Sequence, residues 1–161
     1  PIEQEGTYPL PEAQADRFLL KIRLDYPNFE DEVKIVDKYS AEKKDRRLKP
    51  LLNKKHIINL QQLVRQVPIA NDIKKRAVKI DHATRSTKDI IQYGASPRAS
   101  IGLILASKAR ALMNGRNHVS MDDITTMAGS VLRHRIILNF EAGRRGVTIE
   151  EAIKHIVSKA K

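Results

Sequence analysis

The sequence predicts an all-α protein: an antiparallel bundle of roughly four to six helices over residues 26–161, preceded by a loop and a single strand. Three observations carry this expectation. Apolar residues recur at three- and four-residue spacing over long stretches, helix-start signals are frequent, and stop signals follow them.

The first segment reads as a loop, because Pro9 and Pro11 interrupt Gly6-Thr7-Tyr8-Pro9-Leu10-Pro11. Phe18-Leu19-Leu20-Lys21-Ile22-Arg23-Leu24 follows. Its second half alternates apolar and basic residues, which suits a strand, and Asp25-Tyr26-Pro27 ends it. An unpaired strand edge is costly, so residues 1–25 read as the rim of another domain, with a separate helical domain over 26–161.

Helical signals begin at Asn28. Its side chain can cap a first turn holding Glu30, Asp31 and Glu32, which the positive helix end favours. Phe29, Val33 and Val36 form one apolar stripe. A second helix opens near Asn71, with Ile73, Ala77, Ile80 and Ala83 or Thr84 on one face. Ser96-Pro97 combines a hydroxyl cap with proline at the first helical position, and Asn114-Gly115 is the matching stop. Between them Ile101, Ile104, Leu105, Ala109, Leu112 and Met113 are expected on the buried face. Ser120-Met121-Asp122-Asp123 is a capping box with Asp in the usual Glu position, and Val119 and Ile124 have staple spacing. Ile124, Met127 or Ala128, Val131 and Leu132 continue that core face. Thr148-Ile149-Glu150-Glu151 opens a last helix carrying Ile149, Ala152, Ile153, Ile156 and Val157.

Composition removes several function classes. The 161 residues include no Cys, so a disulfide framework, a thiolate zinc site and a cysteine nucleophile are excluded. The five histidines have no helical metal-ligand spacing, so no metal site is expected. His134, between Arg133 and Arg135, reads as a surface residue. A G-x-x-x-x-G-K-[ST] phosphate loop, a G-x-G-x-x-G turn and a Gly-x-Ser-x-Gly elbow are all missing, so this stretch holds no complete catalytic constellation. No apolar run approaches a membrane span, and the acidic start lacks a signal-peptide pattern; the expected location is cytoplasmic.

Charge is uneven. Residues 1–41 hold 5 Lys/Arg against 9 Asp/Glu, whereas residues 42–161 hold 25 against 10. The densest run is Lys43, Lys44, Arg46, Arg47, Lys49, Lys54 and Lys55, broken by Asp45. Such a run can bind nucleic-acid phosphates or simply be solvated. It contains no aromatic residue to stack on a base, which weakens the reading of a basic helical nucleic-acid-binding module.

Pro1-Ile2-Glu3-Gln4-Glu5-Gly6-Thr7-Tyr8-Pro9-Leu10-Pro11, continuing to Asp16-Arg17-Phe18, resembles the segment after sensor 1 in MoxR-type AAA+ ATPases. Ala15 departs from the Leu expected there. Gly94-Ala95-Ser96-Pro97-Arg98-Ala99-Ser100 resembles the sensor 2 motif of that family. Val131-Leu132-Arg133-His134-Arg135 is similar to the late part of its helical lid, and Tyr26-Pro27 to the hinge before the lid.

The resemblance implies the C-terminal portion of a larger ATPase, with the strand left over from an α/β core at residues 1–25 and the lid at 26–161. The Walker A and Walker B elements would lie upstream, so ATP and Mg²⁺ would serve the full-length protein, while this chain alone would carry no cofactor and no activity. Arg17 resembles the arginine finger, acting in trans on a neighbouring subunit's nucleotide. Arg98 resembles the sensor 2 arginine, acting in cis, with Ser96 and Pro97 beside it in the nucleotide-binding turn. The implied partners are the protein's own AAA+ core, neighbouring subunits of a homo-oligomeric ring, and a protein substrate or adaptor for chaperone-like remodelling.

Overall fold

A computed structural model describes residues 10–40 and 49–160. In chain order it contains α1 (Glu12–Ala15), α2 (Phe29–Ser40), α3 (Lys54–Gln66), α4 (Asn71–Ser86), β1 (Ile91–Tyr93), α5 (Pro97–Met113), α6 (Met121–Leu132), β2 (Ile137–Leu138), α7 (Phe140–Arg144) and α8 (Ile149–Lys159). The protein is mostly helical, as the periodicity implies. The short antiparallel pair β1–β2, matching Ile91 with Leu138 and Tyr93 with Ile137, is an addition. The basic residues Lys43, Lys44, Arg46 and Arg47, and the first part of the N-terminal motif, lie outside the described residues.

Helix α5 is the centre of the body. It packs against α6, α4 and α3, while α8 closes the far side against α6 and α4. Its buried face is Ala99, Gly102, Leu103, Ala106, Ser107 and Ala111. This corrects the expected stripe: Ile101 is 59% and Met113 87% exposed, and Ile104, Leu105, Ala109 and Leu112 are only half-buried. A helix enclosed on three sides needs small residues where its neighbours come closest, so the larger apolar side chains are displaced to its flanks. The faces expected for α4, α6 and α8 are buried as read apart from half-buried Ile149, with Ile80, Ile124, Val131, Leu132 and Ile156 fully enclosed.

The helix ends follow the sequence signals closely. The Asn28 side chain accepts from Asp31 N–H at 2.9 Å, and the capping boxes Ser120/Asp123 and Thr148/Glu151 are both complete. At the end of α5, Gly115 takes a left-handed φ of 69°, with its N–H donating to Leu112 and that of Arg116 to Ala111. This is the double closure that glycine permits without steric cost. Asp123 is fully buried and does more than cap: it accepts from Arg116 and Arg110 as well as Ser120, tying the α5–α6 connection together. The Arg116 hydrogen bond, reinforced by Ser120 and Arg110 against the effect of burial, holds its carboxyl far below the usual carboxylate range.

The expected strand at residues 18–24 is absent. The segment joins no ladder; its backbone is instead met by side chains from the end of α6, and Lys21 N–H donates to the Ser130 carbonyl at 2.9 Å. Alternation alone cannot make a strand where no neighbouring strand supplies the backbone partners. The Phe29, Val33 and Val36 stripe of α2 is exposed, at 82%, 43% and 57%, and neither α2 nor α3 has a buried residue.

Gly94 lies where the chain turns from β1 into α5. A Cβ there would stand 2.7 Å from the Thr84 carbonyl carbon and oxygen, and 2.8 Å from the Arg85 Cα. Those are backbone atoms of a helix and cannot swing aside. Gly94→Ala is therefore expected to destabilise the protein by about 1–3 kcal/mol, measured by urea or thermal unfolding. Unchanged stability would mean that this turn is not pressed against α4.

Candidate functional site

The residues of interest converge on the N-terminus of α5. Ser96 caps the helix by accepting from Arg98 N–H at 3.2 Å, and Pro97 opens it, its fixed φ suited to that position. The turn is held on α4 by several bonds. Ala95 N–H donates to Thr84 Oγ1 at 2.9 Å, Arg85 Nε donates to the Ala95 carbonyl at 2.8 Å, and Ser100 Oγ donates to Asp81 Oδ2 at 2.8 Å. Asp81 is almost wholly buried. Burial pushes its carboxyl above the ordinary value, in spite of Ser100 and Arg85.

The side chain that gathers this region is Asp16, to which the sequence alone assigned no role. Its carboxylate accepts from Ser96 Oγ at 2.8 Å, from Arg98 Nη1 at 3.0 Å and from Arg135 Nε at 3.1 Å. Burial works against its ionisation. The bonds from Ser96, Arg98 and Arg135 outweigh that effect and hold the carboxyl below its ordinary value. Arg98 is 59% exposed even while paired, so its guanidinium faces solvent at the amino end of a 17-residue helix. A cation at the positive end of a helix is chemically suited to an anionic phosphate. Arg17 is exposed, and among the described residues no hydrogen bond or ion pair engages its guanidinium.

Arg133, His134 and Arg135 reach across to the N-terminal segment. Arg133 Nη1 donates to the Lys21 carbonyl at 3.1 Å, and His134 Nε2 to the Phe18 carbonyl at 2.9 Å. The Arg135 side chain is 3% exposed. It donates to the Asp16 carbonyl at 3.1 Å, the Leu19 carbonyl at 3.3 Å, and the carbonyls of Phe18 and Val131. Burial lowers its pKa, opposed by Asp16, but a guanidinium remains charged. His134 is thus half-buried and bonded rather than a free surface residue. The clue available in the sequence was a basic triplet directly following the apolar face of α6, with the last Arg inside an otherwise apolar run.

A carbonyl only accepts, so His134 must carry its proton on Nε2. Burial lowers its pKa below 6.5, opposed by the Phe18 bond and Asp16 and helped by Arg135 and Lys21. A base whose folded pKa lies below its unfolded value contributes stability that is complete above pH 6.5 and is lost as pH falls through that window. The unfolding free energy is expected to decline from pH 7 to pH 5. His134→Gln, which keeps a donor but cannot titrate, is expected to flatten that limb. An identical slope in the variant would show that His134 does not titrate against this segment.

Among the described residues no cluster of His, Cys, Asp and Glu could hold a metal ion, and no helix is long and apolar enough to cross a membrane. The AAA lid domain family matches residues 83–156, a span that includes the α5 N-terminus and the basic triplet. The uncharacterized protein YeaC of Bacillus subtilis is 40% identical over 161 residues, covering 100% of this chain and 50% of that protein. Chaperone MoxR1 of Mycobacterium tuberculosis is 34% identical over 165 residues, covering 98% of this chain and 43% of its own length. A crystal structure of a "putative ATPase" from Cytophaga hutchinsonii superposes with a TM-score of 0.90 at 36% identity, over 99% of this chain and 51% of that one. The chain spans about half the length of the relatives it matches. It is homologous to the C-terminal, lid-bearing region of the MoxR-family AAA+ ATPases.

Proposed function

We propose that this chain serves as the nucleotide-sensing half of a MoxR-type ATPase, working with a nucleotide-binding core in an oligomeric, cytoplasmic ring that remodels protein partners. In this reading Arg98 contacts the γ-phosphate from within its own subunit, flanked by Ser96 and Pro97. Arg17 reaches the nucleotide of the neighbouring subunit. ATP with Mg²⁺ is the substrate, held mainly by the core.

The observation that supports this most directly is the exposed Arg98 guanidinium at the start of α5, one carboxylate away from the exposed and unengaged Arg17. Phosphoryl transfer depends on positioning and charge stabilisation, and a planar, permanently charged fork is suited to both. Lid closure would carry Arg98 onto the phosphate, while subunit packing would bring Arg17 in from outside. The reading assigns no catalysis to the isolated chain.

The test is made in the intact ATPase. Arg17→Ala is expected to lower kcat by about 10³- to 10⁵-fold while ATP binding stays close to normal. Arg98→Ala is expected to weaken ATP binding as well as slow hydrolysis. Titration with a fluorescent ATP analogue, beside steady-state phosphate release, separates the two. Equal loss of binding in Arg17→Ala would remove the in-trans role. Wild-type turnover in both variants would remove the reading altogether.

A further inference from the structure

Arg17 is exposed and flexible by nature, yet the backbone on both sides of it is held by one buried side chain. Arg135 donates to Asp16 at both its carbonyl and its carboxylate, and to the carbonyls of Phe18 and Leu19. The Arg17 peptide therefore sits between two anchored neighbours. The same Asp16 carboxylate accepts from Arg98 and from its cap Ser96. A chain of direct bonds thus runs from Arg98 through Asp16 to Arg135, and from there to the carbonyl that follows Arg17.

We propose that Arg135, acting through Asp16 and the flanking carbonyls, is the positioning residue that aims Arg17 and links it to Arg98. This rests on the reading of Arg17 and Arg98 given above. Three features support it. A guanidinium left unpaired at this burial would be strongly unfavourable, and here it is spent almost entirely on the segment carrying Arg17. The acceptors surround a planar fork, which a lysine ammonium cannot span. Arg133 and His134 fasten the same segment at Lys21 and Phe18, so the backbone bearing Arg17 is held against the end of α6.

The experiment is a double-mutant cycle in the intact ATPase. Arg135→Lys keeps the charge and breaks the fork. It is expected to lower kcat by about 10²-fold, the cost of a small misplacement of a catalytic group, with KM for ATP and the native assembly unchanged. If Arg135 acts through Arg17, the double variant Arg135→Lys/Arg17→Ala should be no slower than Arg17→Ala alone. A merely structural role would instead multiply the two losses or raise KM, and either result overturns the inference, as does unchanged kcat in Arg135→Lys. Should Arg135→Lys fail to fold, Asp16→Asn, similar in size, carries the same cycle with the same expectation. Failure of the parent reading is distinguishable, because there Arg17→Ala by itself would leave hydrolysis intact.

Discussion

A buried guanidinium is tolerated only if its donors are used, and Arg135 uses nearly all of them on the N-terminal segment around Asp16, Phe18 and Leu19. The irregular run at residues 16–21 presents carbonyls that belong to no helix or ladder. Left dry and unpaired, each would cost free energy comparable to a lost hydrogen bond. Arg135, with His134 and Arg133 beside it, satisfies four of those positions, at Asp16, Phe18, Leu19 and Lys21. Asp16 in turn neutralises the charge that burial would otherwise penalise. Neither partner is stable in this place without the other, so a contact between residues more than a hundred positions apart decides where the N-terminal segment lies.

The other end of that contact is set by close packing. Helix α5 lets α4 and α6 approach because its inner face is alanine, glycine and serine apart from Leu103. Gly94 permits the preceding turn to press against the backbone of α4. Thr84 and Arg85 then bond the Ala95 peptide from both sides, and Asp81 receives Ser100 one turn further on. The direction in which Arg98 leaves the helix is thereby fixed by α4. Nothing about the Arg98 side chain itself needs to be rigid, and its exposure leaves it free to exchange partners.

Much of this was legible in the residues. Caps are local, and Asn28, Ser96, Ser120, Thr148 and Gly115 each behave as their neighbours along the chain dictate. The faces of α4, α6 and α8 were readable because each is apolar on one side and polar on the other. The α5 face was not, since a helix surrounded by others is apolar nearly all round and its inner side is marked by small size rather than by hydropathy. The 18–24 strand misled because alternation reports exposure on two sides and says nothing of a partner. Asn53, whose side chain accepts from His56 N–H at 2.9 Å, caps the start of α3, and that signal lies within the basic run. Asp16 and Arg135 could not be paired from sequence, as no local rule links positions so far apart.

Three carboxylates share one arrangement. Asp16 accepts from Ser96, Arg98 and Arg135; Asp81 from Ser100 and Arg85; Asp123 from Ser120, Arg110 and Arg116. Each lies at a junction: N-terminal segment to α5, α4 to α5, and α5 to α6. Hydrophobic contact is non-directional and, between helices faced with small residues, permits sliding. An arginine fork on a carboxylate has a defined geometry and resists it. Losing one member would leave a buried charge uncompensated, so the pins hold or fail as sets. The proposed function asks for Arg98 and the segment bearing Arg17 to be oriented more than it asks for a larger core, and these three sets supply orientation at the joints where a shift would displace either.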